Sequence, residues 1–109
     1  MIELLKDVNA RCGWDCVLTS YDGWRMHFFS GSCPEYATPL VTFSGVSYLS
    51  CPMEFRHPVF RLASTSERNL IGSHVLLDDT DYVIAIEAET MASDKPDVYL
   101  IAAQSGELA

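Results

Sequence analysis

The sequence predicts a mainly β fold: a single antiparallel β-sandwich or partly open β-barrel of about seven short strands, with a short N-terminal helix. Three observations predict it. A connector is written twice, Ser32-Cys33-Pro34-Glu35-Tyr36-x-x-Pro39 and Ser50-Cys51-Pro52-Met53-Glu54-Phe55-x-x-Pro58, each time between two apolar runs. Proline removes a backbone donor and drives the preceding residue toward extended geometry, so this frame ends one strand and starts the next with no helix between. Asp22-Gly23, between two further apolar runs, is the strongest two-residue hairpin signal. Short apolar runs then recur with turn residues at the spacing of antiparallel sandwiches and barrels. With 109 residues, 49% of them hydrophobic, the chain can build one core, and it is read as one domain over 1–109.

Each element follows from local pattern. Ile2, Leu5 and Val8 share one side of a helical wheel, and Gly13 is placed to stop that helix. Around Asp22-Gly23, a tight turn pairs Tyr21 with Trp24, Thr19 with Met26 and Val17 with Phe28, leaving Arg25 and His27 on the reverse face beside Leu18 and Phe29. In the run Pro39 to Leu49, Gly45 breaks the alternation, which predicts a bulge or a corner between sheets. Val59 to Ala63 is a further strand, and Ser64 to Asn69 reads as a polar loop. Leu70 to Leu77, Tyr82 to Glu89 and Val98 to Ala103 complete the set, separated by Asp78-Asp79-Thr80-Asp81 and Ser93-Asp94-Lys95-Pro96.

Catalytic and metal signatures are missing. No Gly-x-Ser-x-Gly elbow and no glycine-rich phosphate loop occurs, so no catalytic residue and no cofactor is assigned; enzyme activity is left open, with the balance toward a binding role. Cys12, Cys16, Cys33, Cys51, His27, His57 and His74 supply zinc-type ligands, but without close Cys-x-x-Cys pairs no metal site is assigned and buried, packing cysteines are expected. Glu35 and Glu54, the matched acids of the connectors, read as corner residues accepting backbone hydrogen bonds while Tyr36 or Phe55 packs inward. His57, before Pro58, is expected to be extended, and His74 to lie in a strand. The acidic start, Met1 to Asp7, is unlike a signal peptide, and no run of about 18 apolar residues occurs. A soluble, cytoplasmic protein with reduced thiols is the expectation.

Charge supplies the functional lead. Up to Leu77 the chain carries seven acids and six bases, whereas from Asp78 onward it carries eight acids and one base, Lys95. The net charge of −8 and only two lysines exclude a phosphate-binding stripe and disfavour nucleic acid and anionic membrane alike. Asp78, Asp79, Asp81, Glu87, Glu89, Asp94 and Asp97 bracket one predicted hairpin and are the candidate surface for a basic protein partner. Size and charge are analogous to those of small inhibitor and immunity proteins, an analogy that does not fix function. The alternative is a small hydrophobic ligand in a cavity lined by Trp14, Trp24, Phe28, Phe43 and Tyr48. A third class is thiol or metal chemistry at a cysteine and histidine site, and the oligomeric state is left open.

Overall fold

A computed structural model describes residues 1–31, 37–90 and 93–109, with the side chains of all of these except 93–95. The first connector, including Cys33, Glu35 and Tyr36, lies outside the described residues, as does the side chain of Asp94. In chain order the elements are α1 (Ile2–Arg11), β1 (Asp15–Tyr21), β2 (Arg25–Ser30), β3 (Thr38–Ser44), β4 (Tyr48–Ser50), β5 (Glu54–Leu62), α2 (Thr65–Gly72), β6 (Tyr82–Thr90), β7 (Ser93–Ala103) and β8 (Ser105–Leu108). The strands form one antiparallel sheet, ordered β4-β7-β6-β5-β1-β2-β3-β8. The mainly β class and the N-terminal helix are as the sequence predicts. Among the described residues, no helix is long and apolar enough to cross a membrane.

The sheet is not closed, since β4 and β8 at its two ends do not pair with each other. It curls through two bends. β3 pairs with β8 from Val41↔Leu108 to Ser44↔Ser105, and beyond the bends β4 pairs with β7 from Tyr48↔Ala102 to Ser50↔Leu100. Backbone bonds carry the pairing through the corner, Gln104 N–H to Ser44 O at 3.0 Å and Ser47 N–H to Ala102 O at 2.9 Å. Gly45 makes the corner expected of it, with φ of +67°, and a Cβ there would stand 2.7 Å from Gln104 in the opposing bend. A partly open barrel results.

Inside it, the rings of Phe28, Phe43, Phe55 and Phe60 pack edge to face, with Phe28 at 6.1, 5.7 and 5.8 Å from the other three. Ile84, Ile86 and Ile101 surround them, and α1 adds Leu5 and Val8 to the same core. A second cluster lies on the outside. Ile71 of α2 meets Val83 and Ala85 of β6 and Leu100 and Ala102 of β7 there. The middle of β6 is therefore buried on both faces, the physical reason for its uninterrupted run Val83-Ile84-Ala85-Ile86.

Three expectations are corrected. Residues 64–77 are not a loop followed by a strand: Ser64 caps α2, accepting a hydrogen bond from Glu67 N–H while the Glu67 side chain accepts one from Ser64 N–H. The first hairpin is shifted in register, with Tyr21↔Met26, Ser20↔His27 and Leu18↔Phe28 paired and the ladder slipping at Thr19. Of Asp22 and Gly23 only the glycine has positive φ, +93°, and Asp22 N–H donates to Arg25 O, so the turn centres on Gly23-Trp24 instead of being the type I′ turn read at Asp22-Gly23. The Asp22 carboxylate moves the turn by accepting from Trp24 N–H at 2.9 Å and Arg25 N–H at 2.8 Å. Consequently Leu18, Met26 and Phe28 face the core, while Tyr21 and Trp24 are exposed. Finally, β7 begins at Ser93, so Asp94 and Pro96 lie within it, at an irregularity between Ala88↔Asp97 and Thr90↔Ser93 where proline is tolerated.

Candidate functional site

Charged and apolar groups meet on the outer face of β5, β6 and β7, beyond the edge of α2. Register builds the first row: Val59 lies opposite Glu87, and Glu87 opposite Val98. Val59 and Val98 are 48% and 46% exposed, an apolar pair on either side of one carboxylate. The next row is Asp15, Arg56 and Glu89. Arg56 Nη2 donates to Thr90 O at 3.3 Å, whereas its buried Nε has no hydrogen-bond partner among the described residues.

Between the rows β5 bulges, with two residues, His57 and Pro58, against one on β6. His57 was expected to be extended before proline and is not: its φ is +51°, the one positive value among the described residues other than glycine. The bulge overrides the local preference and turns the imidazole outward. There its Nδ1–H donates to Glu89 Oε2 at 3.0 Å, and its ring meets Trp14 edge-on at 4.2 Å. Main chain fixes Trp14 as well, since His57 N–H donates to Trp14 O. Trp14 itself is 74% exposed.

A second network anchors the lower edge. Arg61 donates to both oxygens of Glu67, at 2.7 and 3.0 Å, and through Nε to Glu87 at 2.9 Å. These bonds from Arg61, with one from Ser64 N–H, pull the Glu67 carboxyl down to about 2, and the two carboxylates raise the Arg61 guanidinium further. Half-exposed pairs of this kind position groups more than they stabilise the fold.

Of the seven acids of the sequence reading, the six with described side chains lie in the turn before β6, along β6 and on β7. Asp78, Asp79 and Asp81 occupy the turn before β6, where the Asp81 carboxylate accepts from Asp78 N–H, the Asp78 carboxylate accepts from Thr80 N–H, and Arg68 donates to the carbonyls of Asp78 and Asp81 at 3.0 and 2.8 Å. Asp97 lies opposite Ala88 toward the far end of β6, about 20 Å away at the rise of a strand. Glu87 and Glu89 share the outer face with Val83 and Ala85, as their alternation implies, but each is already bonded to a base. Sequence periodicity finds the face of a strand residue; it does not find the cross-strand partner, which depends on register.

The five aromatics proposed as a cavity lining are dispersed. Phe28 and Phe43 are wholly buried in the core, Trp14 and Trp24 are exposed, and Tyr48 stacks on His74 outside the sheet at 6.1 Å. His74 follows α2 and lies in no strand. The described depression outside β1 and β5, about 480 Å³, is lined by Val17, Leu18, Thr19, Met53 and Glu54 and by none of the five. In the second connector Phe55 packs inward and Glu54 is exposed.

Cys12, Cys16 and Cys51 are free thiols, and Cys16 is buried with the other two packed against its cluster. Among the described residues no three His, Cys, Asp or Glu side chains are placed to hold a metal ion. Comparison with protein-family models, with curated proteins and with solved structures finds no match.

Proposed function

We propose that this chain is a non-enzymatic, cytoplasmic protein-binding module that engages a basic protein surface through the outer face of β5, β6 and β7. The observation that carries the reading is the row Val59–Glu87–Val98 beside Trp14: exposed apolar side chains and carboxylates share one face of a chain with net charge −8. Tryptophan is a residue type that anchors protein interfaces, and Trp14 lies here on His57, which Glu89 holds. Surrounding acids, Asp97 among them, supply a field that speeds encounter with a basic partner and is screened by salt.

Apolar anchor and acidic field make separable contributions, which sets the test. A partner captured by the immobilised chain is titrated against purified variants at low and high salt. Trp14→Ala and Val98→Ser should weaken binding about equally at both salt concentrations, and Asp97→Asn should slow association chiefly at low salt. Glu3→Gln, on α1, is the control. A partner indifferent to salt, Trp14→Ala and Val98→Ser would move the interaction to the Arg25/His27 side of the first hairpin.

A further inference from the structure

The bulge at His57 ties an imidazole to the exposed indole of Trp14 on one side and to a carboxylate on the other. His57 N–H donates to Trp14 O at 2.6 Å, the two rings meet at 4.2 Å, and Nδ1–H donates to Glu89 Oε2 at 3.0 Å. The basic nitrogen left over is Nε2. The His57 side chain is 44% exposed and that of Glu89 28%, so water reaches the ring while Glu89 keeps it in place. Other charges surround the pair. Asp15 on β1 and Arg56 on β5 lie in the Glu89 row, Glu87 on β6 is bonded to Arg61, and the irregular stretch of β7 opposite the end of β6 carries Asp94, Lys95 and Asp97. Arg11, the last residue of α1, donates instead to Ala109 O. The other two histidines belong to separate contacts, His27 with Thr42 Oγ1 and His74 with Tyr48.

We propose that His57 is a proton-operated switch of the electric field over Trp14, and that it regulates what the face of β5, β6 and β7 attracts. With His57 neutral, the His57–Glu89 pair carries one negative charge beside the indole, and a cation approaching Trp14 is drawn in. A proton on Nε2 cancels that charge. The imidazolium then stands 4.2 Å from the indole, well inside the Debye length of about 8 Å at physiological salt, so solvent ions leave the change largely unscreened. The geometry survives the change, because Nδ1–H donates to Glu89 in both states and the bond becomes charge-assisted on protonation. An imidazole changes charge between about pH 5 and 8, a range in which carboxylates and guanidinium groups ordinarily keep theirs. A basic protein surface is thus attracted at the upper end of that range and released at the lower. This regulatory role rests on the protein-binding reading, whereas the switch itself is a property of the free chain.

The test reads the field directly, by collisional quenching of Trp14 emission with caesium and with iodide at constant ionic strength. The full chain carries Trp24→Phe for this purpose, which leaves Trp14 as its one indole. Removing one charge at contact range changes the local concentration of each ion by a factor of roughly 1.5–2, so the ratio of iodide to caesium quenching should rise about twofold or more between about pH 8 and about pH 5. His57→Asn should abolish most of that rise, asparagine being a residue that tolerates the positive φ of +51°. Titration of the His57 ring protons by NMR should follow the same curve, a measurement that needs no change at position 57. A ratio that stays flat with pH, or that rises equally in His57→Asn, overturns the switch and leaves the protein-binding reading standing, because the quenchers need no partner. For a captured partner, affinity should fall with pH in the native chain and stay level in His57→Asn. Affinity that depends on Trp14 but not on His57 protonation overturns the regulatory role.

Discussion

Asn9 takes the place of a neighbouring strand. β1 pairs with β5 only from Asp15↔Arg56 to Val17↔Glu54, which leaves the rest of that edge of β5 to α1. There the Asn9 carboxamide donates to Phe60 O and accepts from Phe60 N–H, both at 2.8 Å, answering two main-chain groups with one side chain. Asn9→Ala should therefore cost about 1–3 kcal/mol in chemical denaturation, the range for orphaned backbone groups. Gly23→Val should cost on the order of 1 kcal/mol, for backbone reasons alone: φ is +93°, yet no atom stands within 4 Å of the added Cβ. An unchanged melting temperature would contradict that account. Glu67 gives a pH signature of defined sign. Its folded-state value of about 2 lies below the ordinary 4.5, so its contribution is fully present above pH 4.5 and is lost as pH falls toward 2. Glu67→Gln should flatten the stability profile in that window and lower stability by a constant amount above it, near neutrality included.

At the scale of elements, α2 shows how a helix hides in a β-rich sequence. Its eight residues, Thr65–Gly72, bury one side chain, Ile71, so the apolar periodicity that marks a longer helix is absent. The available signal was Ser64-x-x-Glu67, a capping box, which outweighs the polar composition that reads as a loop. Ser64→Ala should destabilise by about 1 kcal/mol. Ile71→Ala, at about 2–5 kcal/mol, should raise amide exchange across residues 65–72 before the core strands open. The shifted first hairpin has a different cause. The turn pair was legible, but the Asp22 side-chain bonds and the irregularity at Thr19 each moved the register, so that on β1 Leu18 faces the core in place of Val17 and Thr19 while Met26 and Phe28 of β2 keep their face.

For the whole molecule, the acidic third of the chain is a property of composition that the fold redistributes. Glu87 and Glu89 are bonded to Arg61 and His57, so reversing them to lysine breaks those bonds and sets like charges together. Glu87→Lys/Glu89→Lys should therefore lower the melting temperature as well as any affinity. Asp97→Asn is the cleaner probe of the field, since no hydrogen bond or ion pair of the Asp97 side chain holds the described fold together.

The sequence by itself determined the β class, α1, the corner at Gly45, the strand faces of β6 and the place of the net charge. Each of these rests on local physics: prolines that break ladders, a glycine at positive φ, side chains that alternate at period two. Only the tertiary structure decided that Arg61 holds Glu67 and Glu87, that Trp14 stands on His57 and that Glu89 holds His57 in turn. Those contacts join residues through register, a bulge and a helix-to-strand passage. Register is set by the sum of core packing over the sheet, and no window of neighbouring residues contains that sum.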